Sequence, residues 1–199
     1  MKVGIINYNC GNVRSLHNAL FHLDANPFFI NTPDDFNHTT HIVLPGVGSF
    51  SYCFNNLQES GLLGSLEENV LLCKKPILGI CVGMQMMFES SEEGGSSQGL
   101  GWLSGKIKRI QRNEMIKVPH VGWNSVDFSK PYGKFNTSQE YDFYFDHSFA
   151  LSKSEFTLSY TTHSQTFVSS VSHDNILACQ FHPEKSQVNG LNFLKNFLS

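Results

Sequence analysis

Along the N-terminal half of the chain, continuous apolar runs alternate with apolar positions spaced three or four apart. Val3-Gly4-Ile5-Ile6, Phe28-Phe29-Ile30, Ile42-Val43-Leu44 and Pro76 to Ile80 are apolar throughout, as strands covered on both faces must be. Val13, Leu16, Leu20 and Leu23 share one side of a helix. The same pattern predicts a helical region over about Phe50 to Cys73, broken near Gly61 to Gly64, and a helix beginning at Met84 to Phe88. Strand and helix in alternation imply a parallel sheet with helices on its faces.

After Glu93 the segment Gly-Gly-Ser-Ser-Gln-Gly-Leu-Gly reads as a loop, and the pattern changes. Lys106 to Ile110, Tyr141 to Phe145, Phe156 to Tyr160, Phe167 to Val171 and Ile176 to Gln180 are shorter and more polar, as antiparallel strands are. Gly190 to Leu198 predicts a closing helix. With no internal repeat and no biased linker, residues 1–199 are expected to form one α/β domain. Its central sheet would be mixed but mostly parallel, with flanking helices and additional antiparallel strands in the second half.

Composition narrows the function classes. Lys plus Arg number 14 against 17 Asp plus Glu, so the basic excess that binds phosphate backbones is missing and no nucleic acid is expected as a partner. Charged residues are 16% and apolar residues 40%, a balance that folds rather than stays disordered. The apolar start is too short for an export signal and no run reaches the length of a membrane span, which predicts a cytoplasmic chain. The five cysteines are scattered without a C-x-x-C pair, so neither a disulfide framework nor a metal site is expected.

The sharpest local feature is Gly79-Ile80-Cys81-Val82-Gly83, a G-x-C-x-G step between a buried strand and the next helix. It has the form of a nucleophile elbow carrying sulfur: a tight turn lifts one side chain above the sheet, and the glycines let strand and helix approach. A lone cysteine at a strand end is more often packing; the glycines and the apolar strand reverse those odds. Cys81 would sit at a helix start, where free N–H groups favour thiolate. Such a nucleophile needs a histidine that takes its proton and later protonates the leaving group. His182 closes an apolar strand and opens His182-Pro183-Glu184, where a carboxylate two residues on can turn back and set the tautomer of the ring. Cysteine, histidine and acid together follow the logic of a catalytic triad.

Gly79 to Gln85, Gln180-Phe181-His182-Pro183-Glu184-Lys185-Ser186 and Pro45-Gly46-Val47-Gly48 together resemble the triad-type, class I glutamine amidotransferases. Asn7 to Asn12, Ser90 to Gly94, Gly99-Leu100-Gly101, Val118 to Asn124 and His147-Ser148 extend the resemblance over essentially the whole chain. They narrow it to the glutaminase subunits of imidazole glycerol phosphate synthases. The resemblance implies a flavodoxin-like fold and hydrolysis of L-glutamine to glutamate and ammonia, through a γ-glutamyl thioester on Cys81. His182 would act as acid and base, and Glu184 would orient it. The oxyanion hole would use the backbone N–H of Val82 and one from the Gly46-Val47-Gly48 loop, where a peptide flip would switch activity. Gln85 and Glu93 would contact the substrate, Glu93 at its ammonium end, and His147 and Ser148 would edge the pocket. Gly11, Asn12, His120, Trp123 and Asn124 would face the partner, in the family a (β/α)8-barrel cyclase of histidine biosynthesis joined as a heterodimer. No cofactor or metal is implied.

The family usually has an aliphatic residue before the His-Ser pair and a hydroxyl-bearing aromatic after it, whereas this chain has Phe145-Asp146-His147-Ser148-Phe149. On a strand Asp146 would point away from Phe145 and His147, so the pocket would survive while the other face changes. Two further readings keep the fold and the triad. One is a paralogue supplying ammonia to a sugar-amidating enzyme of surface polysaccharide biosynthesis, toward which Asp146 and Phe149 point. The other is a stand-alone cysteine hydrolase, which would need neither Gln85 nor the Trp123 surface.

Overall fold

The computed structural model describes residues 1–112 and 116–199. In chain order the elements are β1 (Lys2–Ile6), α1 (Val13–His22), β2 (Asn26–Ile30), β3 (His41–Leu44), α2 (Phe50–Glu59), α3 (Leu63–Glu67), β4 (Ile77–Ile80), α4 (Val82–Met86) and β5 (Phe88–Ser91). They continue with β6 (Ser97–Gln98), β7 (Leu103–Arg109), β8 (His120–Phe128), β9 (Tyr141–His147), β10 (Phe149–Leu151), β11 (Thr157–Thr162), β12 (Thr166–His173), β13 (Ile176–Cys179) and α5 (Gln187–Phe197).

The sheet runs β2-β1-β3-β4-β13-β12-β10-β7-β5-β6, and a second arm, β12-β11-β8-β9, leaves it at β12. The stretch from β2 to β13 is parallel. Its strands are apolar along their length because helices cover both faces, and every residue of β4 and β13 is buried. At β12 the direction reverses, and the remaining pairs are antiparallel except β5 with β7. Parallel pairing sets the carboxyl ends of β1, β3, β4 and β13 side by side. The loops leaving them carry Asn7 to Asn12, Pro45 to Gly48, Cys81 and Gln180 to Glu184, the edge where open α/β sheets bind ligands.

In the second half, aromatic side chains hold the elements together. Phe143 of β9 stacks on Phe181 at 4.1 Å, and Phe181 meets Phe193 of α5 edge-on at 5.0 Å. Each fully buried ring contributes about 2 kcal/mol or more by leaving water, so β9 and α5 clamp the segment that delivers His182. Among the described residues no helix is long and apolar enough to cross a membrane.

Three expectations are corrected. The helix expected from Met84 through Phe88 is a single turn, Val82–Met86, and Phe88 opens β5 instead. Its last carbonyls are taken by chain returning from beyond, with Leu100 N–H on Met86 O at 2.7 Å and Leu103 N–H on Met87 O at 3.0 Å, so the helix cannot continue. The loop after Glu93 contains the short strand β6, paired with β5. Val118 to Asn124, where no strand was expected and whose His120, Trp123 and Asn124 were expected to face a partner, enters the nine-residue strand β8 at His120 and pairs along it with β9.

Candidate active site

Cys81 stands between β4 and α4 with φ 54° and ψ −111°, a left-handed conformation that costs a side-chain-bearing residue about 1 kcal/mol or more. Two glycines make the turn possible. A Cβ on Gly83 would lie 2.0 Å from the Leu44 carbonyl oxygen, and one on Gly46 would lie 2.5 Å from the Gly83 nitrogen. Only without those atoms can the loop after β3 rest on the first turn of α4, which brings Gly46, Val47 and Gly48 beside Val82. The Cys81 sulfur is 3.6 Å from Gln180 Nε2 and 3.9 Å from the Asp146 carbonyl oxygen.

His182 leaves the end of β13 on a backbone tied to β9. Its N–H donates to the Tyr144 carbonyl at 2.8 Å, and the Ser186 hydroxyl both donates to the His182 carbonyl at 2.6 Å and accepts from the Tyr144 N–H at 2.9 Å. The imidazole Nδ1 lies 2.9 Å from Glu184 Oε1, and the ring shares the wall of one pocket with the Cys81 sulfur. Burial works against charge on this ring; the Cys81 sulfur and the Glu184 carboxylate outweigh it and raise its pKa to about 10. A buried imidazolium beside sulfur is poised to protonate a leaving group.

These groups open on a cavity of about 370 Å³ whose wall is formed by Val47, Gly48, Cys81, Val82, Gln85, Glu93, Pro119, Asp146, His147, Ser148, Phe149 and His182. Glu184 and Gly46 stand behind that wall, and they border a crevice with Asn12, Pro45 and Ile80. Gln85 Nε2 donates to the Phe149 carbonyl and to Gln180 Oε1, both at 3.0 Å, which leaves Gln85 Oε1 without a partner among the described residues. Glu93 Oε2 accepts the Phe50 N–H at 2.8 Å, at the start of α2, so this carboxylate also caps a helix.

The description glutamine amidotransferase class-I matches residues 5–199. The chain belongs to this family. The amidotransferase is 41% identical over 201 residues to imidazole glycerol phosphate synthase subunit HisH 2 of Vibrio vulnificus (strain YJ016), covering 100% of this chain and 94% of the relative. Subunit HisH 1 of Campylobacter jejuni (strain RM1221) is 40% identical over 98% of both chains. Subunit HisH of Leptospira interrogans is 38% identical over 99% of both. In fold, the amidotransferase superposes on a crystal structure of glutamine amidotransferase with a TM-score of 0.75 at 17% identity, over 99% of both chains. It matches the structure of PurLQS from Thermotoga maritima equally well, at TM-score 0.75 and 16% identity, over 99% of this chain and 97% of that one.

The residues expected to face a partner divide. Trp123 is 47% exposed, meets Tyr144 edge-on at 6.3 Å, and Lys185 Nζ lies 5.3 Å above the Tyr144 ring. Gly11, with φ 99°, and Asn12 are half-buried after β1. His120 is moved off the contact surface: it is 3% exposed and stacks on Phe145 and His163. The reason is the period of a strand, which turns His120 and Asn124 inward while Val121 and Trp123 face out. Asp146 does lie on the exposed face of β9, opposite to Phe145 and His147. Sequence reasoning missed Gln180, whose amide reaches both Cys81 and Gln85. Its one signal was membership of the His182 motif, since a single amide after an apolar strand carries no periodicity.

Proposed function

We propose that this amidotransferase hydrolyses L-glutamine and passes the ammonia to a (β/α)8-barrel cyclase, as the glutaminase subunit of an imidazole glycerol phosphate synthase in histidine biosynthesis. The observation that carries the reading is the Cys81 sulfur at a strained elbow, sharing with a buried His182 of raised pKa the wall of a cavity that also presents Gln85 and Glu93. The Cys81 sulfur adds to the side-chain carbonyl carbon of glutamine. Charge that develops on the amide oxygen is met by the Val82 N–H and an N–H of the Gly46-Val47-Gly48 loop. His182 gives its proton to the departing amine, the carbon–nitrogen bond breaks, and ammonia leaves a γ-glutamyl thioester on sulfur. The ring, now neutral, takes a proton from water; hydroxide adds to the thioester, the carbon–sulfur bond breaks, and glutamate and the starting pair return. Glu184 keeps the ring in register and supports its charge throughout.

The oxyanion loop also carries a switch in this reading. The Tyr8 hydroxyl donates to the Pro45 carbonyl and the Cys53 thiol to the Val47 carbonyl at 3.4 Å. With both flanking carbonyls held, rotation is confined to the Gly46–Val47 peptide, whose N–H points at the oxyanion in one orientation and away in the other. One such donor is worth about 100- to 1000-fold in turnover. A partner docked on the Trp123 face would set the orientation.

The test is glutamate release with and without a barrel cyclase and its nucleotide, together with labelling by an electrophilic glutamine analogue. Label on Cys81 alone and strong stimulation by the cyclase are expected. Label on Cys73 or Cys179 overturns the nucleophile. No stimulation transfers the ammonia to a sugar-amidating enzyme, the reading favoured by Asp146 on the outer face of β9 across from Val121. Full activity of the isolated chain makes it a stand-alone hydrolase.

A further inference from the structure

A hydrogen-bonded chain that the reaction scheme leaves unused leads out of the pocket into β8. His147 and His120 are cross-strand partners, and His147 Nε2 lies 3.0 Å from His120 Nδ1. At one end His147 Nδ1 is 2.9 Å from the Phe149 carbonyl oxygen; at the other, His120 Nε2 is 3.1 Å from Asn124 Nδ2. The ends decide the protons. A carbonyl only accepts, so His147 carries its hydrogen on Nδ1 and presents a bare Nε2. His120 must then donate from Nδ1, which leaves its Nε2 bare for one Asn124 amide hydrogen, the other going to the Thr162 carbonyl at 3.0 Å. Neither ring can gain a proton without setting two N–H groups against each other in a buried site.

Inward, the Phe149 carbonyl that receives His147 also receives Gln85 Nε2, and the second hydrogen of that amide goes to Gln180 Oε1. Both donors of Gln85 are thereby occupied, and its unpartnered oxygen is what this pocket-lining side chain has left for a ligand. His120 itself does not line the cavity.

We propose that His120 is a positioning residue for glutamine: through the His147 ring it holds the Phe149 carbonyl, and so keeps the Gln85 oxygen available to a donor of the bound substrate. The inference rests on the glutaminase reading for the identity of the ligand; the proton arrangement stands on geometry alone. Losing the His120 donor frees His147 to turn over, and the Phe149 carbonyl loses the ring donor that holds it in place for the Gln85 amide.

The experiment compares His120→Leu, which removes the donor, with His120→Asn, whose amide nitrogen takes the place of Nδ1. His120→Leu is expected to raise the KM for glutamine about tenfold while kcat changes less than about threefold, and His120→Asn to recover most of the loss. A glutamine-shaped chloroketone should alkylate Cys81 correspondingly more slowly in His120→Leu, and iodoacetamide at an unchanged rate. Nitrogen-15 NMR of the unmodified protein at neutral pH should find both rings neutral and protonated on Nδ1. The proposal is overturned by an Nε2–H or doubly protonated His147, by a His120→Leu variant with KM unchanged, or by equal slowing of both alkylating agents. If His120→Leu does not fold, His120→Asn and the tautomers decide. An unmodified protein without glutamine hydrolysis defeats the functional reading, while the tautomers and the two alkylation rates still judge this one.

Discussion

His182 and His147 line one pocket, are both buried, and titrate in opposite directions. Desolvation would push each toward the neutral ring. His182 faces the Cys81 sulfur and the Glu184 carboxylate, which reverse that tendency and carry it up to about 10. His147 faces a backbone carbonyl, which alone favours its charge, and a second imidazole, so burial prevails and its pKa falls to about 3. His120 follows it down to about 4, by burial and the nearby His163. Depth therefore does not decide the charge of a histidine; the groups within hydrogen-bond reach do, and in the proposed reaction one wall would supply a proton while the other would hold the substrate.

The hardest test of this contrast is removal of each ring. His182→Ala is expected to cost on the order of 10⁴-fold or more in glutamine turnover, because acid and base are lost together. His147→Gln should act chiefly on KM; if steady-state kinetics showed equal losses in kcat, the two walls would not divide the work. A smaller effect, about 10- to 100-fold in kcat, is expected for Glu184→Gln, which keeps the shape and removes the charge. Since that carboxylate favours the protonated ring, its loss lowers the His182 pKa and should move the alkaline limb of the pH profile to lower pH.

Stability against pH separates the walls without any substrate. Between about 6.5 and about 10 the folded protein holds a proton on His182 that the unfolded chain has lost, so His182 contributes stability that disappears as pH rises. Below 6.5 the unfolded chain protonates His120 and His147, whose folded pKa values are about 4 and about 3, so stability falls as pH falls. At pH 5 each of these two should cost on the order of 2 kcal/mol relative to neutral pH. Urea unfolding at several pH values checks it: His147→Gln should flatten the acid side alone and His182→Gln the alkaline side alone. The smallest effect is expected outside the pocket. Trp123→Ala should shift stability by about 0.5 kcal/mol or less and leave basal hydrolysis unchanged, while reducing stimulation by the cyclase.

The two halves of the chain were not equally open to sequence reading. β1 to β4 and β13 are continuous apolar runs because helices cover both faces, and such runs are visible without knowing their neighbours. β8 was hidden because His120, Gly122 and Asn124 occupy its inward positions, where the alternation that marks a half-buried strand calls for apolar side chains. α4 ended early because its carbonyls are claimed by residues that follow it by more than a dozen positions.

At the site, the elbow around Cys81 and the pairing of His182 with Glu184 were determined by the sequence alone. Both depend on neighbours within two residues, and glycine, proline and a short carboxylate restrict the backbone there directly. The Gln180 contact to sulfur, the inward turn of His120 and the opposite pKa shifts of His182 and His147 were decided only by the tertiary structure. Each depends on groups that lie 27 to 101 positions away along the chain and meet only once β4, β13, β8 and β9 stand together, where desolvation makes every hydrogen-bond partner count.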